Sequence, residues 1–311
     1  MEVWLSPKDK PIGFSKLNSR SFHILSSMTL NINNLYNIFL LLFSGEKEQI
    51  LYKNNKIIEN MTLYLIGIGL STEKDITVKG LEIVKKCDKV YLESYTSLLQ
   101  CSVSDLETFY DKEIVIANRE ITEQGDEKII AEAQEKDIAF LIIGDVFSAT
   151  THVQLFKLAK EKNVSVKVIN NASVLTAVGV TGLELYKFGK VTSIPFIEDH
   201  PNLETPYNVL KDNGDLHTLF LLDLKPAEDK FMTVNVALEI LGKIESKKKE
   251  GLINDDLLVV GCARLGCDNF IVKAGKLSEI RAFDFGGPLH CLIIPGKMHF
   301  VEEEMMELWS D

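Results

Sequence analysis

Asp145 stands at the end of an apolar run in "IIGDVFSATTH", residues 142 to 152, where a small-residue loop leads into a helical pattern near Thr150. The carboxyl ends of parallel strands are where α/β proteins hold ligands. Two roles are open to this carboxylate: it accepts hydrogen bonds from a ligand amine or hydroxyl, or it caps the helix and satisfies loop amides. His152, one step into that helix, suits packing or capping better than ligation. In "INNASVLTAVG", residues 169 to 179, another strand end passes through polar residues into a helix whose free N–H groups suit a polar or anionic ligand. Ser173 is either a contact to that ligand or simply the N-cap.

Two later stretches, "VGCARLGCDN" and "GGPLHCLIIPG", flank strands with glycine and expose main-chain groups that suit an adenine ring. His290, just ahead of a buried strand, is the one histidine placed beside a ligand. The stretch "LYLIGIGL" breaks on Gly67 and Gly69, half of a G-x-G-x-x-G fingerprint. Thr72 occupies the third glycine's position and the helix pattern begins only near Thr77, so a plain tight turn stays open beside a dinucleotide loop. No Ser-His-Asp array, phosphate-binding loop or metal cage is present in the pattern. The residues describe a binding cleft with no assigned catalytic nucleophile and no metal.

Short apolar runs alternate with helical periodicity from Met61 onward, the pattern of βα units around a largely parallel sheet. Strands are predicted at "TLYLIG", "KVYLES", "EIVIA", "DIAFLIIGD" and "VSVKVIN". Helices fall between them, the first over "TVKGLEIVKKCD" with Val78, Leu81, Ile83 and Val84 turned inward. After Asn170 the rhythm changes. A helix over "ASVLTAVGVTG" precedes strands at "KVTSIPF", "LHTLFLLDL", "DLLVVGCARLG", "NFIVKAG" and "PLHCLIIPG". The helix "TVNVALEILGKIESKKKE" ends on solvated lysines, and the acidic run before "MMELW" reads as a solvated helix start. A boundary near residues 169 to 172 gives two α/β domains, 61–170 and 171–311, with a cleft between them.

Composition limits what such a cleft serves. The 311 residues are 46% hydrophobic and 25% charged, ordinary for a folded soluble protein, and the net charge of −11 opposes a general grip on nucleic acid. Five cysteines with no zinc spacing read as small buried residues in a reducing compartment. Residues 1 to 60 differ, with seven Lys or Arg against five Asp or Glu, whereas residues 61 to 311 hold 27 against 40, a balance of −13. The apolar piece Leu35 to Phe43 is nine residues, short of the roughly 20 that span a bilayer. Residues 1–60 are expected to be a poorly ordered extension or a gene-model artefact upstream of a start at Met61, and no membrane role is expected.

Taken in order, "LYLIGIGL", "KDITVKGLE", "VYLESYTS", "AFLIIGDVFSATTH", "VINNAS", "LYKFG", "HTLFLLDLK", "VGCARLG" and "GGPLHCLIIPG" resemble the diphthine synthase family of the tetrapyrrole methylase superfamily. The resemblance implies two α/β domains of the tetrapyrrole methylase type, a cytoplasmic homodimer, and S-adenosyl-L-methionine in an interdomain cofactor cleft, released as S-adenosyl-L-homocysteine. Carried over by position, it implies cofactor contacts from Leu70, Asp145, Ser148, Ser173, Val174, Leu222, Leu265 and His290. One departure is the loop "GDVFS", where members commonly read G-D-P-F-G, so Val146 replaces a rigid residue and Ser148 the freest backbone position. The implied reaction is repeated methylation of the 3-amino-3-carboxypropyl-histidine of translation elongation factor 2, with carboxylate esterification in eukaryotic relatives. Phe147 or Phe196 would then face the methylated cation. Competing readings are a sister methylase acting on a tetrapyrrole, whose polyanion fits a −13 region poorly, and a non-catalytic module that docks on the elongation factor.

Overall fold

The computed structural model describes residues 51–53, 56–58, 61–94, 97–117, 126–150, 152–200 and 202–311. The chain divides into units Met1–Ile58 and Glu59–Asp311. In the first, strands β1 (Leu51–Lys53) and β2 (Lys56–Ile58) pair antiparallel. The other expectations for residues 1 to 60 fall outside the described residues.

The second unit opens on five strands that match the short apolar runs: β3 (Thr62–Gly67), β4 (Lys89–Glu93), β5 (Ile114–Ala117), β6 (Ile138–Ile142) and β7 (Ser165–Ile169). They form one sheet in the order β5-β4-β6-β3-β7, every pairing parallel. Because β6 lies at the centre and is buried at every position, its run is continuously apolar. Alternation along β3 divides its residues between two faces. Leu63 and Leu65 pack with Phe140, Ile129 and Leu155 on one side. Ile66 packs with Val84, Leu106 and Leu141 on the other.

Helices α1 (Val78–Lys86) and α2 (Val103–Tyr110) cover the second side, and α3 (Asp126–Glu132) and α4 (Val153–Glu161) the first. Thr77 caps α1 by accepting the Gly80 N–H at 3.0 Å, and Ser102 with Asp105 forms a capping box on α2. Val78 corrects the expected inward face of α1: at the first helical position it is 76% exposed, while Gly80 and Val84, four apart, carry the buried stripe.

The second sheet joins β8 (Thr192–Ile194), β9 (Thr218–Leu222), β12 (Leu258–Ala263), β13 (Ile271–Lys276) and β14 (His290–Ile294) in the order β13-β12-β14-β9-β8. Only β8 and β9 run parallel, so this sheet is mixed. A two-stranded ribbon, β10 (Leu224–Lys225) with β11 (Lys230–Phe231), leaves the end of β9. The helix expected over residues 172 to 182 is one α-turn, α5 (Val174–Ala177), followed by a 3-10 turn over Val178–Thr181. Helices α6 (Thr205–Asn213) and α7 (Val234–Lys248) pack on one face of the sheet, while α8 (Leu277–Ile280) closes the turn after β13.

The last helix, α9 (Phe300–Leu308), revises the reading of the acidic run. Glu302 is 0% exposed. It accepts hydrogen bonds from the Glu184 N–H at 2.9 Å, Lys187 Nζ at 2.6 Å and the His299 N–H at 2.7 Å, and pairs with His217 Nε2 at 2.9 Å. Four partners from three segments turn a charged residue into an anchor for the helix.

Candidate active site

Gly67 and Gly69 bring two strand ends together. Gly69 and Gly144 exchange main-chain hydrogen bonds of 3.3 and 2.7 Å, and the Ile68 N–H donates to Ile142 O at 2.9 Å. A Cβ on Gly67 would lie 2.6 Å from Gly144 O, and one on Gly69, held at φ +83°, would lie 2.4 Å from Asp75 Cβ. Gly67 therefore permits close packing of backbone on backbone, and Gly69 close approach of the Asp75 side chain. Asp75 Oδ2 accepts the N–H groups of Leu70 and Ser71, at 3.3 and 2.6 Å, which fixes the loop that presents Leu70.

In the next loop Asp145 takes the organising role. Its Oδ1 accepts the Asn171 N–H at 2.9 Å, and Oδ2 accepts the Phe147 N–H at 3.3 Å and the Ser148 hydroxyl at 3.1 Å. Thr150 closes the turn by donating its hydroxyl to Val146 O at 2.8 Å. The non-glycine residue with positive φ in this loop is Ala149, at +59°, one beyond Ser148. Ser148 therefore needs no glycine-like freedom.

The mixed sheet presents its own edge, where β9 and β12 end and β14 begins. Arg264, at φ +50°, donates to Phe285 O at 2.9 Å, to Asn269 O from Nε and Nη2, and to Gly287 O. His290 faces the same turn. Its Nε2 lies 3.2 and 3.0 Å from Gly286 O and Gly287 O, and its Nδ1 is 3.4 Å from the Val234 N–H. These partners specify a neutral ring protonated on Nε2. Burial pushes the His290 imidazole below its ordinary value, against the pull of the two carbonyls.

These two edges face a cleft enclosing about 930 Å³ of free space, its open mouth included. Leu70, Ser148, Ser173, Val174, Leu222, Leu265 and His290 all line it. Asp145, 7% exposed, does not; it lies behind the loop that it holds. Ser173 sits at the N-cap position of α5, where its N–H donates to Thr176 Oγ1 at 3.2 Å. Phe196 packs in the core of the mixed sheet beneath Lys225 and Lys230, and Phe147 stacks edge-on against Phe156. Neither ring lines the cleft.

Several residues were not singled out by their spacing. Ser97, Leu98 and Gln100 reach the cleft from the loop after β4. Gln100 anchors there through its N–H to Ser71 O at 2.8 Å and touches the other edge through Nε2 to Pro288 O at 3.3 Å. Cys262, Cys267 and Cys291 also line the cleft as free thiols. Cys262 lies opposite Cys291 across β12 and β14, and hydrogen bonding to that neighbour, with burial, holds its thiol protonated. Among the described lining residues none is Asp or Glu, and Arg264 alone is cationic at neutral pH. Among the described residues no cluster of three or more His, Cys, Asp or Glu is placed to hold a metal ion, and no helix is long and apolar enough to cross a membrane.

A cleft at the carboxyl ends of a parallel sheet, closed by the edge of a mixed sheet, is the frame of a small-molecule site. The chain belongs to the family Tetrapyrrole (Corrin/Porphyrin) Methylases, whose model matches residues 62–281. It is 44% identical over 266 residues to the diphthine methyl ester synthase of Dictyostelium discoideum, spanning 79% of this chain and 97% of that one. To the diphthine synthase of Methanocaldococcus jannaschii it is 46% identical over 250 residues, spanning 79% and 97%. A crystal structure of diphthine synthase superposes with a TM-score of 0.74 at 38% identity, covering 80% of this chain and 96% of that one.

Proposed function

We propose that this chain is an S-adenosylmethionine-dependent methyltransferase of diphthamide biosynthesis. Its acceptor is the 3-amino-3-carboxypropyl-histidine of translation elongation factor 2. The observation that carries this reading is the 44% identity maintained over 97% of the Dictyostelium diphthine methyl ester synthase. In this reading the halves meet at residues 170 and 171, and the enzyme works as a cytoplasmic homodimer.

The lining residues fit the cofactor. Leu70, Val174, Leu222 and Leu265 supply apolar surface for a purine, and Ser148 and Ser173 supply hydroxyls for its polar groups. Gly144, at φ +85°, has no Cβ to fill the floor between Leu70 and Ser173. When bound, the cofactor supplies a methyl group already activated by the sulfonium.

The protein's task is then alignment of the acceptor lone pair and exclusion of water. His290 is committed to Gly286, Gly287 and Val234 and is not free to take the acceptor proton. A peptide α-amino group has a pKa of about 7.7 to 8.0; the acceptor amine, beside its own carboxylate, lies above that range, so only a small fraction of it is neutral near physiological pH and the cleft must capture that fraction. Arg264, bound to carbonyls, is poor provision for a flat polyanionic tetrapyrrole.

The test is incubation with labelled cofactor and elongation factor 2 carrying the unmethylated intermediate. Label on the elongation factor is expected. Label on a porphyrin precursor instead, with none on the elongation factor, would defeat the proposal.

A further inference from the structure

Besides the loop after β4, three loops of the parallel sheet contribute to the cleft: the one after β3 with Leu70, the one after β6 with Ser148, and the one after β7 with Ser173 and Val174. Far apart in the chain, these three meet at one half-buried residue that does not line the cleft, Asn171, whose side chain reaches the loop after β3 and whose main-chain N–H reaches the loop after β6. Its Nδ2 donates to Gly67 O and to Asp75 O, both at 3.0 Å. Its Oδ1 accepts the Ala172 N–H at 2.7 Å, and its own N–H donates to Asp145 Oδ1 at 2.9 Å.

The partners of Asn171 are themselves organisers. Asp75 holds the N–H groups of Leu70 and Ser71, and Asp145 holds the Phe147 N–H and the Ser148 hydroxyl. A primary amide is the group this junction requires: two hydrogens diverging from one nitrogen reach two carbonyls of the loop after β3, and the oxygen remains to fix the next residue of its own loop through the Ala172 N–H. A carboxylate of the same shape donates nothing and sets a negative charge against both carbonyls. The bare Cα of Gly67 lets the amide approach, since a Cβ there would lie 3.0 Å from Asn171 Cβ.

Resting on the methyltransferase reading, we propose that Asn171 is a positioning residue for cofactor capture, locking three loops in their binding geometry without touching the cofactor. Preorganisation of this kind acts on affinity, because a loosened cleft must be reordered on each binding event. Chemistry on the complex, once formed, is less affected.

Binding of S-adenosyl-L-homocysteine is measured by calorimetry on wild type, Asn171→Asp and Asn171→Ala, with Asn170→Ala, a change at the exposed neighbour, as control. The two Asn171 variants are expected to weaken binding at least tenfold, while the control stays within twofold. In turnover assays KM for S-adenosyl-L-methionine rises by a similar factor and kcat at saturation falls less than threefold. Folded variants with unchanged affinity, or with a fall in kcat alone, overturn the inference while leaving the methyltransferase reading intact. A wild type that binds neither S-adenosyl-L-methionine nor S-adenosyl-L-homocysteine overturns both.

Should the variants not fold, amide hydrogen exchange in the wild type decides. The N–H groups of Ser71, Phe147 and Ala172 are expected to gain protection together when S-adenosyl-L-homocysteine is added. Independent responses of the three loops overturn the inference.

Discussion

Leu70 occupies the space that Gly266 leaves bare. A Cβ on Gly266 would stand 2.7 Å from Leu70 Cβ, and Gly266 holds φ +94°. The contact joins the loop after β3 to the turn after β12, so it sets the separation of the two cleft edges at the point where Leu70 and Leu265 line the cleft.

Gly266→Ala meets both obstacles, a disfavoured φ and a collision with Leu70. A local cost of about 1 to 3 kcal/mol is expected, together with a rise of roughly tenfold, equal to about 1.4 kcal/mol, in KM for S-adenosyl-L-methionine. Urea unfolding and steady-state kinetics measure the two effects separately. An unchanged KM would show that the spacing of the edges does not govern cofactor binding.

Acid weakens the fold through two groups at different pH. Burial alone pushes the His152 imidazole from 6.5 to about 4, and neither ring nitrogen has a hydrogen-bond partner among the described residues. Between these values the unfolded chain binds a proton that the folded chain refuses. Stability is therefore lost as pH falls from about 6.5 toward 4. Burial also pushes the Glu302 carboxyl up, but the Glu184 N–H, Lys187, the His299 N–H and His217 outweigh it and hold the group at about 2 against 4.5. Its contribution is present above the ordinary value and is lost as pH falls through the window from 4.5 to about 2. Urea midpoints recorded across this range check both. His152→Leu flattens the upper part of the curve and Glu302→Gln the lower part.

Phe147 is 38% exposed and rests on Phe156, outside the cleft. Phe147→Ala removes the ring but keeps the N–H that Asp145 accepts. Values of kcat and KM within about twofold of wild type are expected, since surface substitutions away from structural anchors seldom have larger effects. A specific loss of the final methylation, read by mass spectrometry of the acceptor, would assign the ring to the methylated cation after all.

The strands were legible because their signal is local. The run Ile138 to Ile142 is apolar at each position because the strand is buried on both faces, and the sequence displays that directly. The junctions were not legible in the same way. Asn171 and Gly67 are 104 residues apart and Glu302 and Glu184 118 apart, so neither contact leaves a periodic trace. Glu302 looks like its acidic neighbours until His217 and Lys187 are brought beside it. Val78 failed for a related reason: apolarity marks a candidate for burial, while the face of α1 is chosen by what lies beneath it. The resemblance supplied positions that pattern alone did not, and the role of Asp145 had to wait for its hydrogen bonds.

The loops around the cleft are held largely by main-chain groups: the N–H of Leu70, Ser71, Phe147 and Asn171, and the carbonyls of Gly67 and Asp75. Such groups are the same whatever side chain hangs beside them. The information is carried by counting, in the number of residues from Gly67 to Asp75 and from Asp145 to Asn171. Val146 is a change of lettering that leaves the spacing intact, and Ser148 adds a hydroxyl to the main-chain N–H groups that Asp145 accepts. Outside Gly67, Gly69, Asp75, Asp145 and Asn171 this part of the molecule tolerates a change of spelling, but an insertion or deletion of one residue would move every donor out of reach.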